Sequence, residues 1–282
     1  MKMRRSGRAL LLFSCVAAAC SGATARAAPV ADASVAVPES QPDATSSAVP
    51  VAADDKKWHF ALIGYVWAAG AHGLSSPRDP LPPVKLDLSF GDVMKAFKFA
   101  FMGAAEARKD RLVFLGDLMW VHLGEDKGLT VRGHDFADVS IDSKTTAITA
   151  LAGYRVVEKG PVVVDLLAGA RLNGNKQAFD YTGPLNNVSA SLSKTWVDPI
   201  IATRIQAPLG NRVSASLYGD IGGFGIGSDL TWQAAGTVNY RINRNMWLGA
   251  GWRYFKINYD TSSGFLYDVA QSGPIIVLRT EF

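Results

Sequence analysis

The sequence closes on Gly273-Pro-Ile-Ile-Val-Leu-Arg-Thr-Glu-Phe282. Side chains alternate sides along a strand. Pro274, Ile276, Leu278, Thr280 and Phe282 therefore share one face, and Ile275, Val277, Arg279 and Glu281 share the other. One face is apolar and its reverse ends in charge. Taken alone, this stretch suits the edge of a soluble β-sandwich as well as one wall of a barrel. The residues upstream decide between them.

From Trp58 onward one alternating segment follows another. The first, Trp58 to Ala69, is apolar on both faces, so its inner side is not assigned from sequence. Segments then run over about 97–108, 111–123, 140–157, 162–172, 195–207, 213–221, 230–242, 245–258 and 273–282. The short connections contain Lys109, Glu158, Gly210 and Asn243. The gaps between them are long, at 70–96, 124–139, 173–194, 222–229 and 259–272. Ten strands with strictly alternating long and short gaps predict an all-β, transmembrane, antiparallel up-and-down β-barrel, with eight or twelve strands as alternatives. Each alternating core is about 9–12 residues, the length a tilted strand needs to cross a bilayer. Val84 to Phe90 resists this scheme. It alternates like a strand, and Ser89 or Asp92 could cap a short helix through Phe97. Counting it as an eleventh spanning strand would break the turn pattern, so it is assigned to the first outer loop, folding over or into the barrel mouth.

The more polar face collects Glu106, Arg108, Asp117, Arg155, Asp165, Arg171, Asp198, Arg204, Asp220, Arg241, Arg253, Arg279 and Glu281, with Lys98 the lone lysine. Arginine predominates where carboxylates are held in fixed bidentate geometry, and an unpaired enclosed charge costs several kcal/mol. The expectation is a lumen network of Arg–carboxylate pairs, Asp198 with an arginine among them and Pro199 facing lipid near a bend or bulge. Gly64, Gly103, Gly153, Gly169, Gly219 and Gly249 make room for bends and large neighbours. The other face is apolar. Trp120 and Trp232 lie toward its loop side, and Tyr154, Tyr240 and Phe282 toward its turn side, like the two aromatic girdles of a barrel in lipid.

Trp196-Val197-Asp198-Pro199, Asp220-Ile221-Gly222-Gly223-Phe224-Gly225 and Gly251-Trp252-Arg253-Tyr254 resemble segments of uncharacterised small outer-membrane β-barrel proteins of Gram-negative bacteria. Phe101-Met102-Gly103 and Glu106-Ala107-Arg108 extend the likeness over most of residues 58–282. The terminal strand ending on Phe282 resembles the C-terminal signature of the same class. The resemblance implies a place in the cell outer membrane, contact with its lipid, and recognition of Phe282 by the barrel-assembly machinery. It implies no reaction and no ligand.

The first residues read as a secretory signal over 1–27. Lys2, Arg4, Arg5 and Arg8 precede an apolar run from Ala9 to Ala19, and Ala25-Arg26-Ala27 offers a cleavage site. The rival is a lipobox at Ala18-Ala19-Cys20 with Cys20 lipidated, although Ala17 stands where Leu is usual. The signal holds five of the 29 basic residues and none of the 25 acidic ones, which leaves 24 against 25 and removes the support for a nucleic-acid partner. It also holds both cysteines, Cys15 and Cys20, so disulfide, thiol and Cys-metal chemistry are not expected of the remainder. Residues 28–55, rich in Ala, Pro and Ser, read as a disordered tether, and 56–282 as the barrel. No apolar run is long enough for a membrane helix.

Catalytic signals are weak. The four histidines are His59, His72, His122 and His134. His122, at the outer end of its strand near Asp126 and the loop residues Ser140 and Asp142, could serve an outer-membrane lipid hydrolase or acyltransferase. There is no nucleophile elbow, metal-spaced His pair or phosphate loop. Gly222-Gly223-Phe224-Gly225 reads as a flexible outer loop. His59 belongs at the periplasmic rim. No cofactor is implied and no enzyme is expected. The functional expectation is a structural or surface barrel, or a narrow small-solute channel, with both termini periplasmic and a largely filled lumen. A soluble periplasmic ligand-binding barrel is the remaining alternative.

Overall fold

The computed structural model describes residues 57–76, 84–131, 134–157, 161–182, 187–261 and 264–282. The signal, the tether and the Glu158-Lys159-Gly160 turn lie outside these residues. In chain order the elements are β1 (Trp58–Trp67), β2 (Gly70–Ser76), β3 (Val84–Leu88), α1 (Phe90–Lys95), β4 (Phe97–Lys109), β5 (Leu112–Val131) and β6 (His134–Val157). They continue with β7 (Val163–Thr182), β8 (Asn187–Pro208), β9 (Val213–Gly223), β10 (Leu230–Arg241), β11 (Met246–Asp260) and β12 (Leu266–Glu281).

β1 and β4 to β12 form one antiparallel circuit of ten strands. It closes where β12 returns to β1, from Ala61 opposite Glu281 to Trp67 opposite Ile275. The terminal strand is thus the closing stave. Its Ile276 and Leu278 project outward, while Ile275 is buried inside. β1 resolves the same way: Ala61, Tyr65 and Trp67 are buried, and Phe60, Leu62 and Val66 are exposed.

The two faces invert the soluble pattern. Phe101, Ile201, Trp252 and Ile276 are each more than half exposed on the outside, whereas Asp165 and Asp198 are 0 % exposed within. A large apolar belt around charged contents is the arrangement a barrel adopts when lipid is its outer solvent. Inside, Tyr65, Trp67, Met119, Trp196, Phe255, Tyr267 and Ile275 form one apolar cluster, and Val113, Leu151, Leu167, Ile200 and Ala202 a second. Side chains fill the lumen down to a cavity at the turn end.

The structure departs from the sequence reading in its long gaps. Most of them are strand. β5 and β6 stay paired out to Val131 opposite His134, β7 and β8 to Thr182 opposite Asn187, and β11 and β12 to Asp260 opposite Leu266. Apolar alternation ends where lipid contact ends, but the backbone ladder does not need it. Polar strands continue to satisfy their N–H and C=O groups by pairing.

Residues 84–90 also differ from expectation. They do not cover the mouth. β3 pairs with β2, and β2 continues the line of β1 along the outer half of β12. The hairpin is therefore an extension of the wall. Between β1 and β2 the chain steps over Ala68 and Ala69, with the Ala68 N–H donating to the Pro274 carbonyl at 2.9 Å. Gly273 permits that approach, because a Cβ there would collide with the Ala68 carbonyl oxygen. Ser89 caps α1 in a reciprocal box with Asp92, and the helix stops at Lys95, short of Phe97. The chain re-enters the wall at Phe97 through a register shift against β5.

Candidate functional site

Inward parity on β4, β7, β8 and β12 brings Glu106, Asp165, Arg204, Arg279 and Glu281 together, with Arg155 from β6. Arg204 is central. Its Nη1 donates to Glu106 Oε2 at 2.6 Å, and its Nη2 and Nε donate to Asp165 Oδ2 at 2.7 and 3.1 Å. Arg155 Nε donates to the other Asp165 oxygen at 2.9 Å. Arg279 Nη1 reaches the same Glu106 oxygen at 2.9 Å, and its Nε reaches Glu281 at 2.8 Å. Arg155, Arg204 and Arg279 balance Glu106, Asp165 and Glu281, so the ring carries no net charge. That balance, with each buried carboxylate shared by two guanidiniums, offsets the cost of taking these ions from water.

A second layer is built differently. Arg171 Nη2 donates to Asp220 Oδ2 at 2.5 Å, and its Nε to Thr149 at 3.1 Å. Tyr218 and Gln233 donate to that same Asp220 oxygen at 2.8 and 2.6 Å. Arg253 meets neutral acceptors: Gln233 Oε1 at 2.7 and 3.1 Å, and the Tyr65 hydroxyl oxygen at 3.1 Å. Tyr65 in turn donates to Asp117 at 2.9 Å, so Asp117 and Arg253 communicate through a phenol. The Arg253 guanidinium also stacks over Trp67, 4.8 Å from the ring centre.

Asp198 corrects the sequence reading. No arginine bonds to it among the described residues. Its Oδ2 accepts from Asn173 at 2.7 Å and Trp196 Nε1 at 3.1 Å, and its Oδ1 accepts from the Ser228 N–H and hydroxyl at 2.6 and 2.9 Å. Backbone and amide donors stabilise a carboxylate without a cation. The expected flexible loop after Asp220 is in consequence an anchored turn. Ser228 is fully buried on Asp198, and Gly223, Phe224 and Gly225 adopt positive φ to bring it there. Pro199 faces outward, but the ladder between β7 and β8 runs through it without a bulge, and pairing with β9 begins just beyond it at Ile200.

Arg108 and Arg241 stand at the turn end, where they donate to the Asp110 and Asn211 carbonyls. A cavity of about 440 Å³ opens there beneath the ionic ring, with His59, Trp247, Asn239 and Phe282 in its lining. Toward the loop end the aromatic cluster packs within the bore. The partners that sequence reading missed are Tyr65, Thr149, Asn173, Trp196, Tyr218, Ser228 and Gln233. Most share the parity of the charged residues, which is the signal that could have found them.

His72 and His122 are not in the lumen network. His72 bonds to Asp87 at 2.7 Å between β2 and β3. His122 lies on the outward face with its Nε2 2.6 Å from Asp142. Asp142 is its hydrogen-bond partner among the described residues, and no serine or threonine hydroxyl bonds to it there. The His134 side chain lies outside the described residues. No group of metal-ligating side chains occurs among the described residues.

Neither a protein-family model nor a curated protein sequence matches the chain. Among solved structures, it is similar to the translocator domain of the autotransporter NalP from Neisseria meningitidis, with 14 % identity, TM-score 0.42, and coverage of 84 % of this chain and 93 % of that one. It is also similar to the attachment invasion locus protein Ail of Yersinia pestis, with 16 % identity, TM-score 0.37, and 80 % and 98 % of the two chains. The outer-membrane protease OmpT from Escherichia coli matches with 8 % identity, TM-score 0.40, and 81 % and 98 % coverage.

Proposed function

We propose that this chain is an integral β-barrel of the Gram-negative outer membrane with a structural or surface role and a closed lumen. The observation that carries this reading is the pairing of an exposed apolar belt with a buried, charge-balanced interior. In this reading the short turns and both ends of the barrel face the periplasm, and the paired extensions of β5 to β8 project from the cell surface. Phe282 on the closing strand is the handle for the assembly machinery, and outer-membrane lipid is the barrel's solvent. A small solute could enter the cavity at the turn end, but the aromatic cluster stops it from crossing.

Two measurements test this. Membrane-extracted protein should migrate differently on a gel before and after boiling, and in planar bilayers it should show no large, stable open conductance. Soluble fractionation with no heat-dependent shift would remove the membrane reading. A steady large conductance would remove the closed lumen.

A further inference from the structure

Along the outward face of β5, β6 and β7, chemistry changes in rows set by strand register. Leu118, Ile148 and Leu172 are paired across the three strands and mark the apolar belt. One row nearer the loop end come Trp120, Thr146 and Gly174, an aromatic beside two small residues. Trp and Tyr concentrate at this level because their rings suit the boundary between hydrocarbon and headgroups. The next row is His122, Lys144 and Lys176.

Two features of that row are unfavourable without a further component. Lys144 and Lys176 are directly opposite across the strand pair, where Cβ atoms lie about 5 Å apart and like charges repel. Lys98 Nζ also reaches in, 3.6 Å from Asp142 Oδ2, while Lys144 Nζ is 3.8 Å from Asp142 Oδ1. Asp142 is thus one carboxylate among three lysines and His122, and Lys176 makes no ion pair among the described residues. Among the described side chains the cations of this row outnumber its carboxylates, and held immediately above an apolar surface they match an anion attached to hydrocarbon.

We propose that this row binds the phosphate of a phosphorylated membrane lipid between Lys144 and Lys176, with an acyl chain laid over Gly174 and Thr146 onto Ile148 and Leu172. The assignment rests on the membrane reading given above. Thr146 and Gly174 put little side chain between the lysine row and Ile148 and Leu172, and the lysine pair becomes attractive once a shared anion sits between its members.

The test uses full-length protein reconstituted in phosphatidylcholine vesicles containing phosphatidic acid, with one or the other lipid brominated. The Trp120 signal is the emission lost on Trp120→Phe. Brominated phosphatidic acid should quench it more than brominated phosphatidylcholine at equal mole fraction. Lys144→Gln with Lys176→Gln should weaken that preference roughly twenty-fivefold, from roughly fivefold per lysine. A heat-dependent gel shift shows that the double variant is folded. Inorganic phosphate in the buffer should not displace the brominated phosphatidic acid; displacement would make this a soluble-anion site and overturn the proposal. Equal quenching by both lipids would overturn it while leaving the barrel in the membrane, and quenching by neither would overturn the membrane reading itself.

Discussion

Arg204→Met isolates the ionic ring. Methionine keeps much of the apolar stem and removes one charge with three hydrogen bonds, those to Glu106 at 2.6 Å and to Asp165 at 2.7 and 3.1 Å. Two arginines would then face three acids. Breaking a buried ion pair costs about 3–5 kcal/mol. Here Asp165 keeps Arg155 and Glu106 keeps Arg279, each at 2.9 Å, so the lower end applies. The expected loss is about 3 kcal/mol, more than a hundredfold in the folding equilibrium. Adding Glu106→Gln returns the ring to two arginines and two acids and should recover part of that loss, with a coupling of about 0.5–3 kcal/mol. The assay is reversible urea unfolding in lipid vesicles followed by tryptophan emission. For comparison, Lys256→Met, which breaks the partly exposed pair with Asp268, should cost under about 1 kcal/mol. An Arg204→Met barrel within about 0.5 kcal/mol of wild type, or strict additivity with Glu106→Gln, would refute the account of the ring.

Other consequences are as direct. Gly251→Val should lower folding yield in the gel-shift assay, because a Cβ there meets the Gly236 carbonyl oxygen and Thr237 Cα; a cost of about 1–3 kcal/mol or more is expected. Gly64→Ala, with nothing near its added methyl, should fold normally. Trp252→Phe should remove emission that brominated phosphatidylcholine quenches, whereas Trp196→Phe should leave that quenching unchanged, since one ring is exposed outside and the other buried within. Replacing Trp196 and Phe255 together by alanine should raise ion conductance in planar bilayers, and an unchanged trace would mean that these rings do not close the bore. Hydrogen bonds from Ser89 hold the Asp92 carboxyl below its ordinary range. The capping box therefore contributes fully above the ordinary carboxylate pKa and is lost as pH falls through the lowered one. Protection of the Val93 and Ala96 amides, relative to their intrinsic exchange rates, should persist through mild acidification and fall only below it.

The circuit was legible because lipid imposes alternation on every spanning strand, and the terminal strand shows that signal plainly. Inward parity likewise places Glu106, Asp165 and Arg204 on one surface. What parity does not encode is which groups meet across the bore. Arg253 finds Gln233 and Tyr65, the latter on a strand whose inner side its apolar sequence concealed. Asp198 finds Ser228 through a turn whose positive φ values depend on packing. The resembling segments around Trp196 and Gly222 turn out to be two sides of one contact, a relation their separation in the chain hides. The wall extension of β2 and β3 was obscure for another reason: an edge hairpin carries the same alternation as a stave.

The sharing of Glu106 has a kinetic corollary. Arg204 comes from 98 residues downstream of it and Arg279 from 173. Until the closing strand meets β1, no partly assembled sheet can bring all three charges together, so an open intermediate holds them wet and unrewarded. Seam closure and dehydration of the ring then become a single late step, in which the final ten residues supply both the last backbone ladder and the last guanidinium. Truncation before Arg279 would accordingly leave no smaller barrel with the same interior, only an unfinished sheet still exchanging with water.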